Sequence, residues 1–464
     1  MCCKILFNIV FHYVRSVSGA IAILFALMAP VVVGAAGMAL DFSQAYLVQQ
    51  RLAQALDAAA LAGAASSTDA TVIEQKIKQF FEINYPPEKI GATIEPHVVI
   101  DGDEVYVSGN AYYNTWFLRV IGIDEIDLVA ETVVQREVQG IEVVLVMDNT
   151  GSMSTNNNIQ SLRTAARNFV YILYGIPVPD GTDYDPAQLD SHITRDKRYI
   201  KIGLVPYSTS VNVGPYGLGQ DPNGNSYGSP FVNNPLGLSY TTNAGSSNWL
   251  GCVLANNYNT DTTDNAGPWD MYRYCRDDQD RAVCDTDWRG RPRRGPNNIC
   301  PRTPLMPLTN NVEGLWRSID SMNADGYTLG NIGMVRGYRV LSEDFPFTEG
   351  SSWHNEYWRK VIVMMTDGVN TMHQYYTAYG PTQDHNLRPS DLNERFAEVC
   401  EHAKADGAII YTITFAGGVD EDTKDYYRDC ATNEDQYHHA PSQEDLVEVF
   451  EQISRELSQL HIKQ

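Results

Sequence analysis

The sequence predicts an α/β fold: a doubly wound, mostly parallel sheet preceded by one transmembrane helix and a small α+β unit. Three observations carry that reading. Beyond Gly140 stand four apolar runs, "IEVVLVM", "YIKIGLVPYS", "KVIVMMTD" and "AIIYTITF", with helical patterns between and after them. The first, third and fourth are nearly continuous rather than alternating, the mark of strands buried on both faces of a parallel sheet. Near the amino terminus, Ser16 to Leu40 contains no charged residue, a length that spans a hydrocarbon core of roughly 30 Å as a helix. Between these regions, one helical pattern and three alternating runs form the small unit.

Taken in order, residues 1–15 read as a cytoplasmic amino terminus, because Lys4, His12 and Arg15 precede the apolar run and Asp41 follows it. Positive charge on that side keeps it inside, which sends the rest to the outside. Residues 16–40 are the membrane helix. A cleaved signal peptide, cut near Gly34–Ala36, is the competing reading, but the run is longer than the usual h-region. Residues 41–65 continue as a helix with Leu47, Leu52, Leu56, Ala59 and Ala60 on one face, running on to Gly63. Small residues there admit another helix, from the same domain or from a partner. Residues 66–138 form the α+β unit: a helix over "TVIEQKIKQFFEINY", then "ATIEPHVVI", "EVYVSGNAYYN" and "IDLVAETVVQRE", the first two joined by a "DGD" turn.

Residues 139–464 are the α/β domain. Its helical patterns are "NNIQSLRTAARNFVYILYG", "LTNNVEGLWRSIDSM", "GNIGMVRGYRVLS", "LNERFAEVCEHAKADG" and "SQEDLVEVFEQISRELSQL". Two insertions interrupt it, at 175–198 and 209–302. His438 and His439 fall to a loop before the last helix. The basic run Arg289, Arg291, Arg293 and Arg294 either docks an acidic partner or belongs to a solvated loop.

The chain of 464 residues carries 34 basic and 57 acidic side chains, a net charge of −23. Such a surface repels phosphate and excludes nucleic acid as the partner. Six cysteines lie beyond the membrane helix, an even number that fits disulfides in an exported domain. Cys400 and Cys430 are expected to pair. Cys252, Cys275, Cys284 and Cys300 allow three pairings, and lack the C-x-x-C spacing of a zinc site.

The chemistry concentrates where the first strand ends. Asp148-Asn149-Thr150-Gly151-Ser152 has the form D-x-T-x-S, and the third apolar run also ends in an acid, Asp367 in "MMTDG". Oxygen ligands without His or Cys fit a divalent metal ion: Mg²⁺, with Ca²⁺ or Mn²⁺ as alternatives. In open α/β sheets ligands bind outside the carboxyl ends of the strands. By itself the pentapeptide also fits an Asx turn or a helix cap by Ser154 or Thr155. "DPNGN" at Asp221 reads as a turn more than a calcium loop. Ser152 has no G-x-S-x-G elbow, no H-E-x-x-H occurs, and neither His354 nor His373 is tied to the cluster by spacing.

A strand ending D-x-S/T-x-S, a later isolated Thr and a strand ending T-D-G resemble the metal-ion-dependent adhesion site of von Willebrand factor type A domains. The resemblance implies that Thr150, Ser152 and Thr328 are hydroxyl ligands and Asp148 and Asp367 the acids. It also implies that a partner's Asp or Glu completes the shell. Thr150 stands where many members have Ser, which keeps the hydroxyl and adds a methyl. Thr303 and Thr309 are further candidates for the isolated Thr. "GAIAILFALMAPVVV" followed by "ALDFSQAYLVQQRLAQALDAAALAGA", with "DNTGSM", "MTDGVNT" and "YYRDCA", resembles the TadG-like proteins of tight-adherence (Flp) pilus assembly. That resemblance implies a membrane-anchored periplasmic assembly or adhesion factor whose partners belong to pilus or secretion machinery. An envelope adhesin or sensor unrelated to pili, and a metal-dependent hydrolase, are the alternatives.

Overall fold

The computed structural model describes residues 17–66, 70–85, 92–93, 96–101, 104–135, 140–257, 260–264, 267–272, 297–355, 357–374, 376–381, 387–417 and 419–460. The chain falls into two compact units, residues 1–137 and 138–463.

The first unit is built on one helix, α1 (Val17–Ala64), which continues through Pro30. From Ile23 to Leu40 its large apolar side chains are exposed. Then the character changes. Ala45, Val48, Leu52, Ala55, Leu56, Ala59 and Ala60 recur every three or four residues and are all buried, the stripe of a helix packed on one side. That stripe faces its own unit: α2 (Ala70–Asn84) and the strands β3 (Glu104–Asn114) and β4 (Glu125–Gln135). A Cβ on Gly63 would lie 2.3 Å from Ile77, so the small residues serve the approach of α1 and α2. Leu47, expected on the packed face, is exposed; Val48, one position on, takes the inward place. The sheet is antiparallel. β4 pairs along all of β3, so β1 (Ala92–Thr93) and β2 (His97–Asp101) share its other edge.

The second unit holds the doubly wound sheet. Its parallel strands are β5 (Gly140–Asp148), β6 (Ile200–Tyr207), β12 (Trp358–Thr366), β15 (Ile409–Phe415) and β16 (Tyr437–Ala440), in the order β16-β15-β12-β5-β6. Every residue of β5 is buried, as a strand covered on both faces requires. On one face lie α3 (Asn158–Tyr174), α4 (Val312–Ser321) and α8 (Gln443–Leu460), with Phe169 edge-on to Phe450. On the other lie α5 (Gly330–Leu341), α6 (Pro389–Ala405) and α7 (Glu421–Cys430). Glycines bring α5 close: a Cβ on Gly333 would meet Tyr207 at 2.6 Å, and one on Gly337 would meet Val146 at 2.4 Å.

The longer insertion is ordered where described. It adds β7 (Val211–Asn212) and β9 (Cys252–Val253) to the sheet edge and forms a small ladder from β8 (Val232–Asn233) and β10 (Trp269–Asp270). The edge strand β11 (Met306–Thr309) returns antiparallel to β6, and β13 (Tyr376–Thr377) pairs β14 (Gly380–Pro381). Two arginines of α5 tie the insertion to the core. Arg336 is fully buried, lies 3.6 Å over the Trp269 ring and donates to the Leu254 carbonyl. Arg339 donates to the carbonyls of Thr260 and Thr263 and to Asn256. Cys400 pairs with Cys430, as expected, and Cys252 with Cys300. That second pair removes two thiolates from any zinc site; Cys275, Cys284 and the arginine run at 289–294 lie outside the described residues.

His438 and His439 correct the sequence reading. They are not in a loop but in β16, which pairs in parallel with β15. The strand is four residues long at the sheet's edge, too short for its pattern to declare itself.

Candidate functional site

The site follows from the strand order. β5 leads to β6 on one side, and the chain later returns to β12 on the other side of β5. The crevice between the carboxyl ends of β5 and β12 is therefore the topological switch point, where open α/β sheets take their ligands. Asp148 ends β5, and Asp367 directly follows β12.

Asp148 is fully buried. Its Oδ1 accepts the Thr150 amide at 2.8 Å, so the chain turns on its own side chain, as an Asx turn does. Its Oδ2 accepts the Thr366 hydroxyl at 2.9 Å, with the Tyr207 hydroxyl at 3.1 Å and the Asp367 amide at 3.4 Å. The carboxylate is thereby aimed from several sides. Thr150 Oγ1 lies 2.9 Å from Ser152 Oγ, and Ser152 donates to Asp367 Oδ1 at 2.5 Å. One hydrogen-bonded series, through the Thr150 amide and hydroxyl and the Ser152 hydroxyl, links the two strand ends.

Burial raises the Asp148 pKa above the usual carboxylate range, partly opposed by the hydrogen bonds it accepts. Asp367 is pushed up to about 7, by burial first and then by the neighbouring Asp148 charge. Among the described residues neither carboxylate has an ion-pair partner, and no three His, Cys, Asp or Glu side chains gather as a metal-binding group. The donor set is two carboxylates and neighbouring hydroxyls. It is hard, oxygen-only and short of positive charge, which suits Mg²⁺ or Ca²⁺ chemically.

Thr328 reaches the same rim through its backbone. The Asp325 amide donates to Asn149 O at 2.8 Å and the Gly151 amide to Gly326 O at 3.0 Å, which lays this loop along the D-x-T-x-S turn. Thr328 itself exchanges hydrogen bonds with Thr371, in the loop after Asp367, at 2.9 and 3.0 Å. Gly326 has a φ of +89°, and a Cβ there would fall 2.8 Å from Thr209 and 2.9 Å from Ser208, so only glycine lets the loop descend this far. The other candidates are elsewhere. Thr309 pairs with Ile202, five positions before Tyr207 and about 17 Å down the strand. The Thr303 hydroxyl donates to Ser321 O.

Neither Ser154 nor Thr155 caps a helix by its side chain; Ser154 donates back to Gly151 O. Asp221 makes a plain Asx turn, accepting the amides of Asn223 and Asn225. Sequence reasoning missed Tyr207, Thr366 and Ser208. Tyr207 stands opposite Asp148 in the β5–β6 register, so the run "VPYSTS" was the available signal. Ser208 Oγ is buried with no hydrogen-bond partner among the described residues, a further hydroxyl at this rim.

Residues 19–66 match a family model described as "Putative Flp pilus-assembly TadE/G-like". The amino-terminal segment is thus similar to that family. It comprises most of α1, both the exposed apolar stretch and the stripe packed on the sheet. No curated protein matches this chain. Among solved structures, the chain is similar to the pilus adhesin SpaC from Lactobacillus rhamnosus GG at 12% identity and a TM-score of 0.37, over 79% of this chain and 34% of that one. It thus spans about a third of SpaC. The vWF domain of the type V pili tip protein Mfa5 from Porphyromonas gingivalis shows 11% identity and a TM-score of 0.36, over 70% of this chain and 97% of that one. Proximal thread matrix protein 1 from the mussel byssus, in a structure with a zinc-occupied MIDAS motif, shows 13% identity and a TM-score of 0.32, over 68% and 47%. Likenesses this distant decide nothing about the site of this chain.

Proposed function

We propose that the chain is a membrane-anchored pilus assembly or adhesion factor that grips a partner protein through a divalent metal ion. The observation that supports this most is the hydrogen-bonded series from Asp148 through the Thr150 amide and hydroxyl and Ser152 to Asp367, which carries acid at both ends and no ion-pair partner among the described residues. Mg²⁺ is the first choice, with Ca²⁺ and Mn²⁺ compatible with the same donors. Asp148 and Asp367 would supply charge, Thr150, Ser152 and Thr328 hydroxyl oxygens. A partner's Asp or Glu would bring a further oxygen, so the activity is binding rather than catalysis. The TadE/G-like segment supports partners in pilus or secretion machinery, with the amino terminus cytoplasmic, the apolar part of α1 crossing the inner membrane and the bulk of the chain beyond it periplasmic.

Calorimetric titration of the full chain in detergent with Mg²⁺ tests the site. Binding by the wild type and its loss in Asp148→Asn and Asp367→Asn is the expected result; equal affinity in all three sinks the proposal. Asn is preferred to Ala at 148 because it keeps an acceptor for the Thr150 amide. Cross-linking in intact membranes, with and without chelator, then tests whether partner capture needs the ion.

A further inference from the structure

We propose that the β3–β4 connection, residues 115–124, is a second membrane contact: an apolar wedge that sits in the interface of the bilayer α1 crosses. This rests on reading α1 as a membrane anchor. The connection reads "TWFLRVIGID" and exposes Trp116 (79%), Val120 (86%) and Ile121 (65%), with Phe117 and Ile123 also open. So many large apolar groups on one short loop of a soluble surface mark an interaction site.

The fold fixes what that loop faces. Asp41, the first charged residue after the apolar run, is almost completely buried. Its carboxylate accepts the amides of Trp116, Phe117 and Leu118 at 3.0, 2.8 and 2.7 Å. Three backbone donors on one carboxylate clamp the loop to that turn of α1 and satisfy the charge where water becomes scarce. One turn back along α1, inside the apolar run, Phe117 packs on Gly37, where a Cβ would approach its ring to 2.6 Å. Gly37 thus lets the loop press against the helix at the end of the exposed apolar stretch Ile23–Leu40. The wedge and that stretch form one continuous apolar surface, and a bilayer covering one reaches the other.

The chemistry fits the interface rather than the hydrocarbon centre. Trp concentrates at headgroup depth, where its ring is apolar and its N–H can find water. The loop's ion pair, Arg119 with Asp124 at 3.0 Å, is solvent-exposed, and Arg can lift its head out of an apolar layer. A rigid loop seated beside the helix would hold the first unit at a fixed height and tilt, which a single helix alone does not do.

The test uses the full chain reconstituted in phosphatidylcholine vesicles, plain or brominated in the upper part of the acyl chains. Subtracting the emission of Trp116→Phe from that of the wild type isolates Trp116. Flotation with the vesicles after alkaline washing, together with loss of about half the Trp116 emission in brominated bilayers, is the expected result. Flotation with Trp116 emission equal in both bilayers overturns the wedge and leaves the anchor standing; a protein or second copy covering the patch would give that outcome. Failure to float overturns the anchor reading and the wedge with it. Circular dichroism of Trp116→Phe matching the wild type confirms that the subtraction compares like folds.

Discussion

One sheet carries charged side chains at both ends, and the two ends are built on opposite principles. At the amino end, Glu142 of β5 is fully buried between Lys360 of β12 and Lys201 of β6, with Nζ–O distances of 2.7 and 3.1 Å. The Ser351 amide and hydroxyl satisfy the same carboxylate. Trp353 lies under Lys360 and Trp358 under Lys201, each 4.7 Å from the ring centroid. Burial lowers the Lys360 pKa, and Glu142 opposes that shift. At the carboxyl end, Asp148 and Asp367 are as deeply placed, yet their neighbours are hydroxyls and amides. The first cluster is complete within the chain. The second has no ion-pair partner among the described residues, and that difference is what separates the proposed site from a structural brace.

Breaking the brace should have the largest effect on the fold. Lys360→Met leaves Glu142 buried with one partner lost, and denaturant unfolding should show about 3–5 kcal/mol less stability, with Mg²⁺ affinity unchanged. Asp148→Asn should do the reverse. Metal-free stability should hold or rise, because a repelling charge is gone. The gain on adding Mg²⁺ at one hundred times its Kd, about 2.7 kcal/mol in the wild type, should vanish. Equal Mg²⁺ responses in the two variants would erase the distinction drawn between the ends.

The pH dependence sharpens the contrast. Burial and then the Asp148 charge push the Asp367 pKa up to about 7 from an ordinary 3.8. Its proton therefore stabilises the metal-free fold, fully at low pH, and that contribution is lost as pH rises from about 3.8 through about 7. A cation must displace this proton, so apparent Mg²⁺ affinity should fall about tenfold per pH unit below 7. Titration at pH 8 and 6 measures it; a flat profile would contradict the Asp367 assignment. The smallest change is Thr150→Ser, which keeps the hydroxyl and removes a methyl. Its Mg²⁺ affinity should stay within about 1 kcal/mol of the wild type, whereas Thr150→Val should lose more.

The parallel strands are readable because burial on both faces writes continuous apolar runs, with an acid at the end of β5 and another directly after β12. Thr328 could be nominated but not located from the sequence. What brings it to the rim is backbone pairing with Thr371 and a positive-φ glycine, neither of which leaves a periodic trace. Tyr207 escaped notice because it looks like the last apolar residue of β6; only the β5–β6 register sets it opposite Asp148. β16 was lost because four residues at an edge hold too little pattern. On α1 the sequence pattern marks the packed face but puts Leu47 where Val48 belongs, since a helix rich in Ala and Leu offers similar residues at adjacent positions.

The arginines of α5 have a consequence for anyone trimming this molecule. With Trp269, Thr260 and Thr263 removed, Arg336 and Arg339 would lose the ring and the carbonyls that now accommodate them, leaving two guanidinium groups stranded against the sheet. The loop-rich excursion is thus a keystone rather than an ornament. A shortened version would need both positions recast as hydrocarbon before it could stand.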